Sequence, residues 1–173
     1  MKTLLLMRHA KSDRSLGELP DIERPLNKRG RKASLALAEH LRAHDLVPDF
    51  ALVSAARRTQ ETWNRMAETL GEPPLEVRRE LYLAEPQEIL GVINGIGEFS
   101  RVLLLGHNPG VEQAASLLTA PRQAPPVKRH LPFQAKFPTG GIAVLRFADI
   151  PWSEVRFGIG ELLDFITPKS MTD

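Results

Sequence analysis

Two arginines and two histidines stand where apolar runs of this sequence end. Arg8 and His9 follow "LLLM", His107 comes just after "VLLLG", and Arg58 lies four residues after Ser54, the last residue of "FALVS". Two guanidinium groups can hold a dianionic phosphoryl group, since a pair of unit charges ~4 Å apart is worth about 4 kcal/mol at an effective dielectric constant of about 20. An imidazole with a pKa near 6.5 is largely neutral at pH 7 and can act as a nucleophile without a metal. This set of side chains predicts phosphoryl chemistry.

Arg58 also conflicts with the electrostatics of its predicted helix. Arg57 and Arg58 follow Ser54, a predicted helix cap, so both lie in a first helical turn. Cations there oppose the helix dipole by about 0.3–1 kcal/mol each. Such a conflict is typical of a site with a compensating ligand, and helix N-termini and guanidinium groups both favour phosphate oxygens. We therefore expect an anion to bind near Arg58.

Three apolar runs predict the strands that must position these side chains. The runs Leu4–Met7 (within Thr3–His9), Phe50–Val53 and Val102–Leu105 are unbroken rather than alternating. This pattern is typical of strands that are buried on both faces of a parallel sheet. Ligands of open α/β sheets bind at the carboxyl ends of the strands. The two arginines and two histidines are therefore expected to meet at one edge of the sheet.

Helical patterns occupy the segments between these strands. Asn27, Ser54 and Asn108 are predicted N-caps, and Pro109 is predicted to take the first helical position after Asn108. The first of these helices is expected to reach about Ala43. A further helix is predicted over residues 86–93.

The C-terminal part differs from this alternation. "GGIAVLRF" and "EVRFGIGELLDFI" predict late strands, antiparallel at the sheet edge. The whole pattern indicates an α/β fold, a three-layer α/β/α sandwich with a mostly parallel central sheet and helices on both faces. No repeat or clear linker interrupts it, so we expect one domain over residues 1–173.

Composition excludes several classes of protein. The chain has 42% hydrophobic and 25% charged residues, as expected for a globular protein. It has no cysteine, which excludes disulfides and thiolate zinc sites. No apolar run is long enough for a transmembrane helix, and the one at the N-terminus is too short for a signal peptide, so we expect a cytoplasmic protein that binds no membrane. A net charge of only +2 argues against nucleic acid as a partner.

Positive charge is concentrated in two segments. No acidic residue occurs from Gln113 to Ala148, and a proline-rich stretch at about 120–138 predicts a basic flap. A second cluster lies in "LNKRGRK". Each could be a solvated surface. Our hypothesis is that both form a positive rim that docks an acidic phosphoprotein.

Four motifs together resemble the histidine phosphatase superfamily, and within it the short SixA-like phosphohistidine phosphatases. The motifs are "LLLMRHAKS", "DIERPLNKRG", "LVSAARRTQET" and "LLLGHNPGVE", and the resemblance reaches "PTGGIAVLRF". It implies the phosphoglycerate mutase-like fold of that superfamily. It also implies a metal-independent, cofactor-independent phosphatase with a phosphohistidine enzyme intermediate.

The resemblance implies a role for each matching residue. His9 would be the nucleophile, and Arg8, Arg58 and His107 would surround the phosphoryl group. Mutase-like relatives carry an acid that protonates an alcohol leaving group. Glu80 is the first candidate for it and Glu85 the second, although Glu80 could equally be a solvent-exposed side chain.

Several readings stay open. Ser12 and Arg24 could bind substrate or only shape and brace their loop. His40 and His44 have a helical spacing that can bind metal, but two solvated histidines fit better. We expect a protein phosphohistidine phosphatase, monomeric or weakly associated. The alternatives are a phosphomonoesterase for a small metabolite or nucleotide, a phosphate-binding regulator without turnover, and a metallohydrolase.

Overall fold

A six-stranded sheet organises the part of the chain that this computed structural model describes, residues 1–119 and 136–171. Its strands follow the order β3-β2-β4-β1-β5-β6. The strands are β1 Lys2–Arg8, β2 Phe50–Ser54, β3 Leu75–Arg78, β4 Arg101–Gly106, β5 Ile142–Phe147 and β6 Glu161–Ile166. The first four are mutually parallel, whereas β5 and β6 are antiparallel to their neighbours, which confirms the mostly parallel sheet and the late antiparallel edge.

Four α-helices lie in the described ranges. They are α1 Lys28–Ala43, α2 Arg57–Ala67, α3 Pro86–Asn94 and α4 Gly110–Thr119. Short 3-10 turns occur at Asp21–Glu23, Arg79–Leu81 and Trp152–Glu154. None of the helices so described is long and apolar enough to cross a bilayer.

The sheet separates two apolar cores. On β1, Leu4 and Leu6 pack on one face with α3 and α4, and Leu5 and Met7 pack on the other with α1 and α2. All four side chains are fully buried. The unbroken apolar runs follow from this layering, because successive strand residues point to opposite faces and both faces are covered. The predicted α/β fold with helices on both faces is confirmed.

Helix starts agree with the sequence in two cases, α1 and α3, and differ in two. The Asn27 side chain caps α1 by accepting a hydrogen bond from the backbone N–H of Gly30. The predicted cap at Ser54 is wrong: Ala56 precedes α2, and the Ser54 hydroxyl is bonded to His107. Pro109 also lies outside its helix, which begins one residue later.

The basic flap predicted at about 120–138 falls mostly on residues 120–135, which lie outside the described residues. Its last part is described. Lys136 is exposed there, whereas the Phe137 side chain is buried in the apolar core.

Candidate active site

Strand register brings the predicted residues to one edge of the sheet. Arg8 pairs with Gly106 across β1 and β4, and Val53 pairs with Leu105 across β2 and β4. The residues that follow these pairs are therefore neighbours. The backbone N–H of His9 donates to the carbonyl of Gly106 (3.1 Å), and the His9 and His107 ring centroids are 5.4 Å apart.

Hydrogen bonds fix the tautomer of His9. Its Nδ1 lies 2.7 Å from the carbonyl oxygen of Ala10, which can only accept, so Nδ1 carries the proton. Nε2 lies 3.3 Å from Nε of Arg58, which can only donate. The lone pair of His9 Nε2 therefore points toward the guanidinium group. A neutral ring with this lone pair available is the form that a nucleophile requires.

Arg58 is fully buried and connects the site. Its Nη1 donates to the backbone carbonyl of Asp21 (2.7 Å), and its Nη2 donates to the Asp21 carboxylate (3.0 Å). Its other contacts are longer: Nε lies 3.3 Å from His9 Nε2, and Nη2 lies 3.3 Å from His107 Nδ1. Asp21 thus holds one edge of the guanidinium group, and the two imidazoles lie along the other.

His107 is held between Arg58 and Ser54. Because Arg58 Nη2 can only donate, His107 Nδ1 accepts, and the proton of the neutral ring lies on Nε2. Nε2 then donates to the Ser54 hydroxyl at 2.8 Å. The Ser54 hydroxyl also accepts the backbone N–H of Ala56 at 3.3 Å, whereas α2 begins only at Arg57.

Both site histidines are neutral in the free protein. Burial, followed by smaller effects that include neighbouring cations, lowers the pKa of His9 to about 3. Burial and then the charge of Arg58 lower the pKa of His107 to about 3. The two side chains are 5% and 3% exposed, so desolvation of a charged ring dominates.

Arg8 offers a donor that the fold does not use. Its Nη1 donates to the carbonyl of Phe137 at 3.0 Å. Its Nε is buried and has no hydrogen-bond partner among the described residues. Burial, and then the charges of Arg14 and Arg58, lower the pKa of Arg8. A buried donor without an acceptor is costly, so an anion at this point would be stabilising.

Thr62 supports the loop that carries the nucleophile. Its hydroxyl accepts the backbone N–H of Ala10 (3.1 Å) and donates to the carbonyl of Arg58 (2.7 Å). Ala10 in turn holds His9 Nδ1. The buried hydroxyl therefore ties the nucleophile loop to the first turns of α2.

Ser12 and Arg24, predicted to contact substrate, contact each other. Arg24 Nη1 donates to the Ser12 hydroxyl at 2.6 Å, and Arg24 Nη2 lies 3.1 Å from the Asp21 carboxylate. Ser12 also lines a cavity of about 510 Å³ that reaches His9. Arg24 is thus a brace for Asp21 and Ser12, and Ser12 keeps access to the cavity.

Two contributing residues were missed by the sequence analysis. The Tyr82 hydroxyl donates to the Asp21 carboxylate at 2.5 Å, and the Tyr82 ring meets the His107 ring edge-on at a centroid distance of 5.4 Å. This hydrogen bond, with those from Arg58, lowers the pKa of Asp21 to about 2. Asp21 begins the "DIERPL" motif, which could have identified it as a site residue. No sequence motif points to Tyr82.

The structure does not bring the predicted general acids into this network. Glu80 is exposed, and its carboxylate pairs with Arg78 Nε at 2.8 Å, which lowers its pKa. No described hydrogen bond or ion pair joins it to His9 or His107. Glu85 precedes α3, where its backbone N–H bonds to the Glu88 carboxylate. A carboxyl group that stays ionised is a poor proton donor.

No group of three or more potential metal ligands occurs in the described ranges. His40 and His44 stack with centroids 4.0 Å apart, and Nδ1 of His44 lies 2.9 Å from the carbonyl of His40.

Fold and site together define an α/β protein with a buried Arg-His cluster at the carboxyl edge of its sheet, a set of groups suited to an anion. Residues 4–85 match the sequence pattern of the histidine phosphatase superfamily, branch 1. An uncharacterized protein of Mycobacterium tuberculosis is 36% identical over 167 residues, which cover 94% of this chain and 100% of the relative. The chain belongs to the histidine phosphatase superfamily, whose members are phosphatases.

Solved structures agree with this assignment. The candidate phosphohistidine phosphatase SixA of Nakamurella multipartitia has a TM-score of 0.83 and 29% identity, with 96% of both chains covered. The corresponding SixA protein of Agrobacterium tumefaciens has a TM-score of 0.80 and 25% identity, with 96% of this chain and 98% of that chain covered. The predicted resemblance to the superfamily and to its SixA-like members is confirmed.

Proposed function

We propose that this protein removes phosphate from phosphohistidine on a protein substrate, without a metal ion, through phosphorylation of His9. The observation that carries the proposal is the fixed tautomer of His9. Its Nδ1–H is bonded to the carbonyl of Ala10, which leaves the Nε2 lone pair directed at Arg58.

In the first step, His9 Nε2 attacks phosphorus and the P–N bond of the substrate breaks. The substrate imidazole leaves with the bonding electron pair, as a neutral ring if its other nitrogen already holds a proton from solvent. The phosphoryl oxygens accept hydrogen bonds from Arg58 Nε and Nη2, which give up their 3.3 Å contacts to the imidazoles. The unused Nε–H of Arg8 supplies a further donor. These charge-assisted bonds stabilise the charge on the equatorial oxygens.

In the second step, water attacks the phosphorus atom on His9, and the Nε2–P bond breaks. Nε2 takes back its electron pair, and the water proton passes to the released phosphate or to solvent. Because Nδ1 kept its proton, the ring leaves as neutral imidazole. The Ala10 carbonyl therefore stabilises the cationic phosphorylated ring and prepares it for departure.

The surroundings of the leaving group favour phosphohistidine over an alkyl phosphate. An alkoxide needs a proton donor, whereas imidazole departs neutral when its second nitrogen is protonated. Glu80 is exposed and ion-paired, and Asp21 has a pKa of about 2, so neither supplies that proton near neutral pH. A phosphomonoesterase acting by the same nucleophile is the alternative that the test must exclude.

The test compares phosphate release from a phosphohistidine carrier protein and from phosphoserine, with a metal chelator present. We expect faster release from the carrier protein, and its loss in His9→Ala. His44→Ala is the matched control, since it removes an imidazole outside the site and should keep wild-type activity. The wild type should also form an acid-labile phosphoenzyme that His9→Ala lacks.

Faster release from phosphoserine, still dependent on His9, would keep the mechanism but move the function to phosphate esters. Activity that is lost in chelator would contradict metal independence. Release that persists in His9→Ala would reject the mechanism.

A further inference from the structure

Cations surround the cavity that opens beside His9. Its volume is about 510 Å³, and its lining includes Arg8, Lys11, Arg14 and Lys136. Asp13 is the one acidic residue in that lining. Its carboxylate accepts hydrogen bonds from the backbone N–H and the hydroxyl of a neighbouring serine, so the carboxylate stabilises the local turn.

Three of these cations have no partner for their charge among the described residues. Lys11, Arg14 and Lys136 are exposed, and none forms an ion pair within the part of the chain that the structure describes. Arg57, Arg78 and Arg146 elsewhere on the surface do pair with carboxylates. Exposed arginines such as Arg42 and Arg156 form no ion pair in the described ranges either, so the three cavity cations are distinguished by their place around the opening and not by lacking a partner. Unpaired cations around a concave opening create a local positive potential that attracts an anionic partner.

The character of the cavity fits a polypeptide better than a second phosphate. In the proposed mechanism the phosphoryl group is held by a different kind of side chain, the buried and hydrogen-bonded Arg58. Lys11, Arg14 and Lys136 are instead exposed, the first two on the loop after β1 and the third on the segment before β5. The loop that follows Arg14 also exposes Leu16 (47%) and Leu19 (40%), and apolar surface beside charge is typical of a protein interface.

We propose that Lys11, Arg14 and Lys136 dock the acidic side chains that flank phosphohistidine on the protein substrate. The inference rests on the proposed function, which supplies the phosphohistidine. It narrows the substrate class to phosphohistidine on an acidic surface. It also assigns the docking charges to two residues, Lys11 and Arg14, that lie outside the two basic clusters seen in the sequence.

The kinetic test uses the triple variant Lys11→Gln/Arg14→Gln/Lys136→Gln. For a phosphohistidine carrier protein with acidic flanks, we expect kcat/KM to fall about 10-fold and to lose most of its salt dependence. For free phosphohistidine, kcat/KM should change by less than about 2-fold, because the amino acid does not reach the docking cations. The matched control, Arg42→Gln/Arg65→Gln/Arg156→Gln, removes the same charge from other exposed positions and should behave as wild type.

A binding test separates docking from catalysis. His9→Ala is titrated with a fluorescent peptide in which an unphosphorylated histidine is flanked by Asp and Glu, and with the same peptide carrying Asn and Gln. We expect tighter binding of the acidic peptide and loss of that preference when Lys11, Arg14 and Lys136 are also replaced.

Failure of the docking proposal and failure of the proposed function give different experimental results. Equal binding of the two peptides overturns the docking proposal, even if wild type hydrolyses phosphohistidine. Equal losses of kcat/KM for carrier protein and free phosphohistidine also overturn it, since the cations would then act on the phosphoryl group. Tight binding of inorganic pyrophosphate without a preference for acidic peptide would make the cavity a second phosphate site. Absence of phosphohistidine hydrolysis, with the peptide preference intact, rejects the proposed function but keeps a basic surface that docks acidic polypeptides.

Discussion

The two buried histidines should make the protein lose stability under mildly acidic conditions. Burial lowers the pKa of both His9 and His107 from 6.5 to about 3. As the pH falls below 6.5, the unfolded chain takes up protons on these rings, whereas the folded protein does not until about pH 3. Proton uptake by the unfolded state alone lowers the free energy of unfolding. The full free energy of unfolding is therefore available above pH 6.5, and it decreases as the pH falls from 6.5 toward 3.

The size of the loss follows from the distance to the ordinary pKa. One pH unit corresponds to about 1.36 kcal/mol for each proton taken up. At about pH 5, roughly 1.5 units below the ordinary value, each histidine costs about 2 kcal/mol, and the pair costs about 4 kcal/mol. That is a large share of the free energy of unfolding of a typical domain, which is roughly 5–15 kcal/mol. Asp21, with its pKa lowered to about 2, loses its stabilising effect only below its usual 3.8 and stays outside this range.

The assay is urea unfolding at about pH 7.5 and about pH 5, followed by the fluorescence of buried Trp63 and Trp152. Wild type should lose about 4 kcal/mol more than His9→Gln/His107→Gln between the two conditions. His44→Gln is the control and should lose nearly as much as wild type, because it removes only the lesser effect of His44 on the pKa of His40. Equal losses in wild type and the double variant would refute the reasoning, since both rings would then titrate normally in the folded protein.

Three further predictions concern residues around the nucleophile. Thr62→Val should lower the free energy of unfolding by about 1–3 kcal/mol, because the buried N–H of Ala10 loses its acceptor. Thr62→Ser keeps the hydroxyl and should retain most of the wild-type free energy of unfolding. Equal urea midpoints for Thr62→Val and Thr62→Ser would contradict this role of the hydroxyl. Asp21→Asn should lower kcat about 5-fold with little change in KM, because the half-exposed Asp21 carboxylate positions Arg58 rather than touching substrate; steady-state kinetics in which only KM changes would argue against it. Glu80→Gln should hydrolyse phosphohistidine within about 2-fold of wild type, and a large loss of kcat would restore Glu80 as an acid.

The parts of the site that follow regular strands could be predicted from the sequence. Arg8, His9 and His107 come at or just after the carboxyl ends of adjacent parallel strands, so the sheet alone brings them together. Arg58 follows a third parallel strand by a short turn. The apolar runs identified these strands because both faces of the sheet are covered.

The parts that depend on irregular segments could not be predicted. Tyr82 meets Asp21 across 61 positions of the chain, and each lies in or just after a 3-10 turn without a periodic pattern. Ser54 shows a different limit. Its residue type favours a helix cap, but its hydroxyl bonds to His107, a tertiary contact that overrides local preference. Glu80 is a candidate acid only by its position in the chain. That position does not reveal the ion pair between its carboxylate and Arg78.

The charges of the site show why both histidines must stay neutral. The Asp21 carboxylate pairs with the guanidinium groups of Arg24 and Arg58. Arg8 adds its charge to the surroundings of both histidines without pairing with Asp21, so the site has an excess of positive charge. That excess matches a phosphoryl dianion. A proton on His9 would remove the lone pair that attacks phosphorus and would add charge to a buried cationic cluster. The burial that should weaken the fold in acid is therefore the same property that keeps the nucleophile ready near neutral pH.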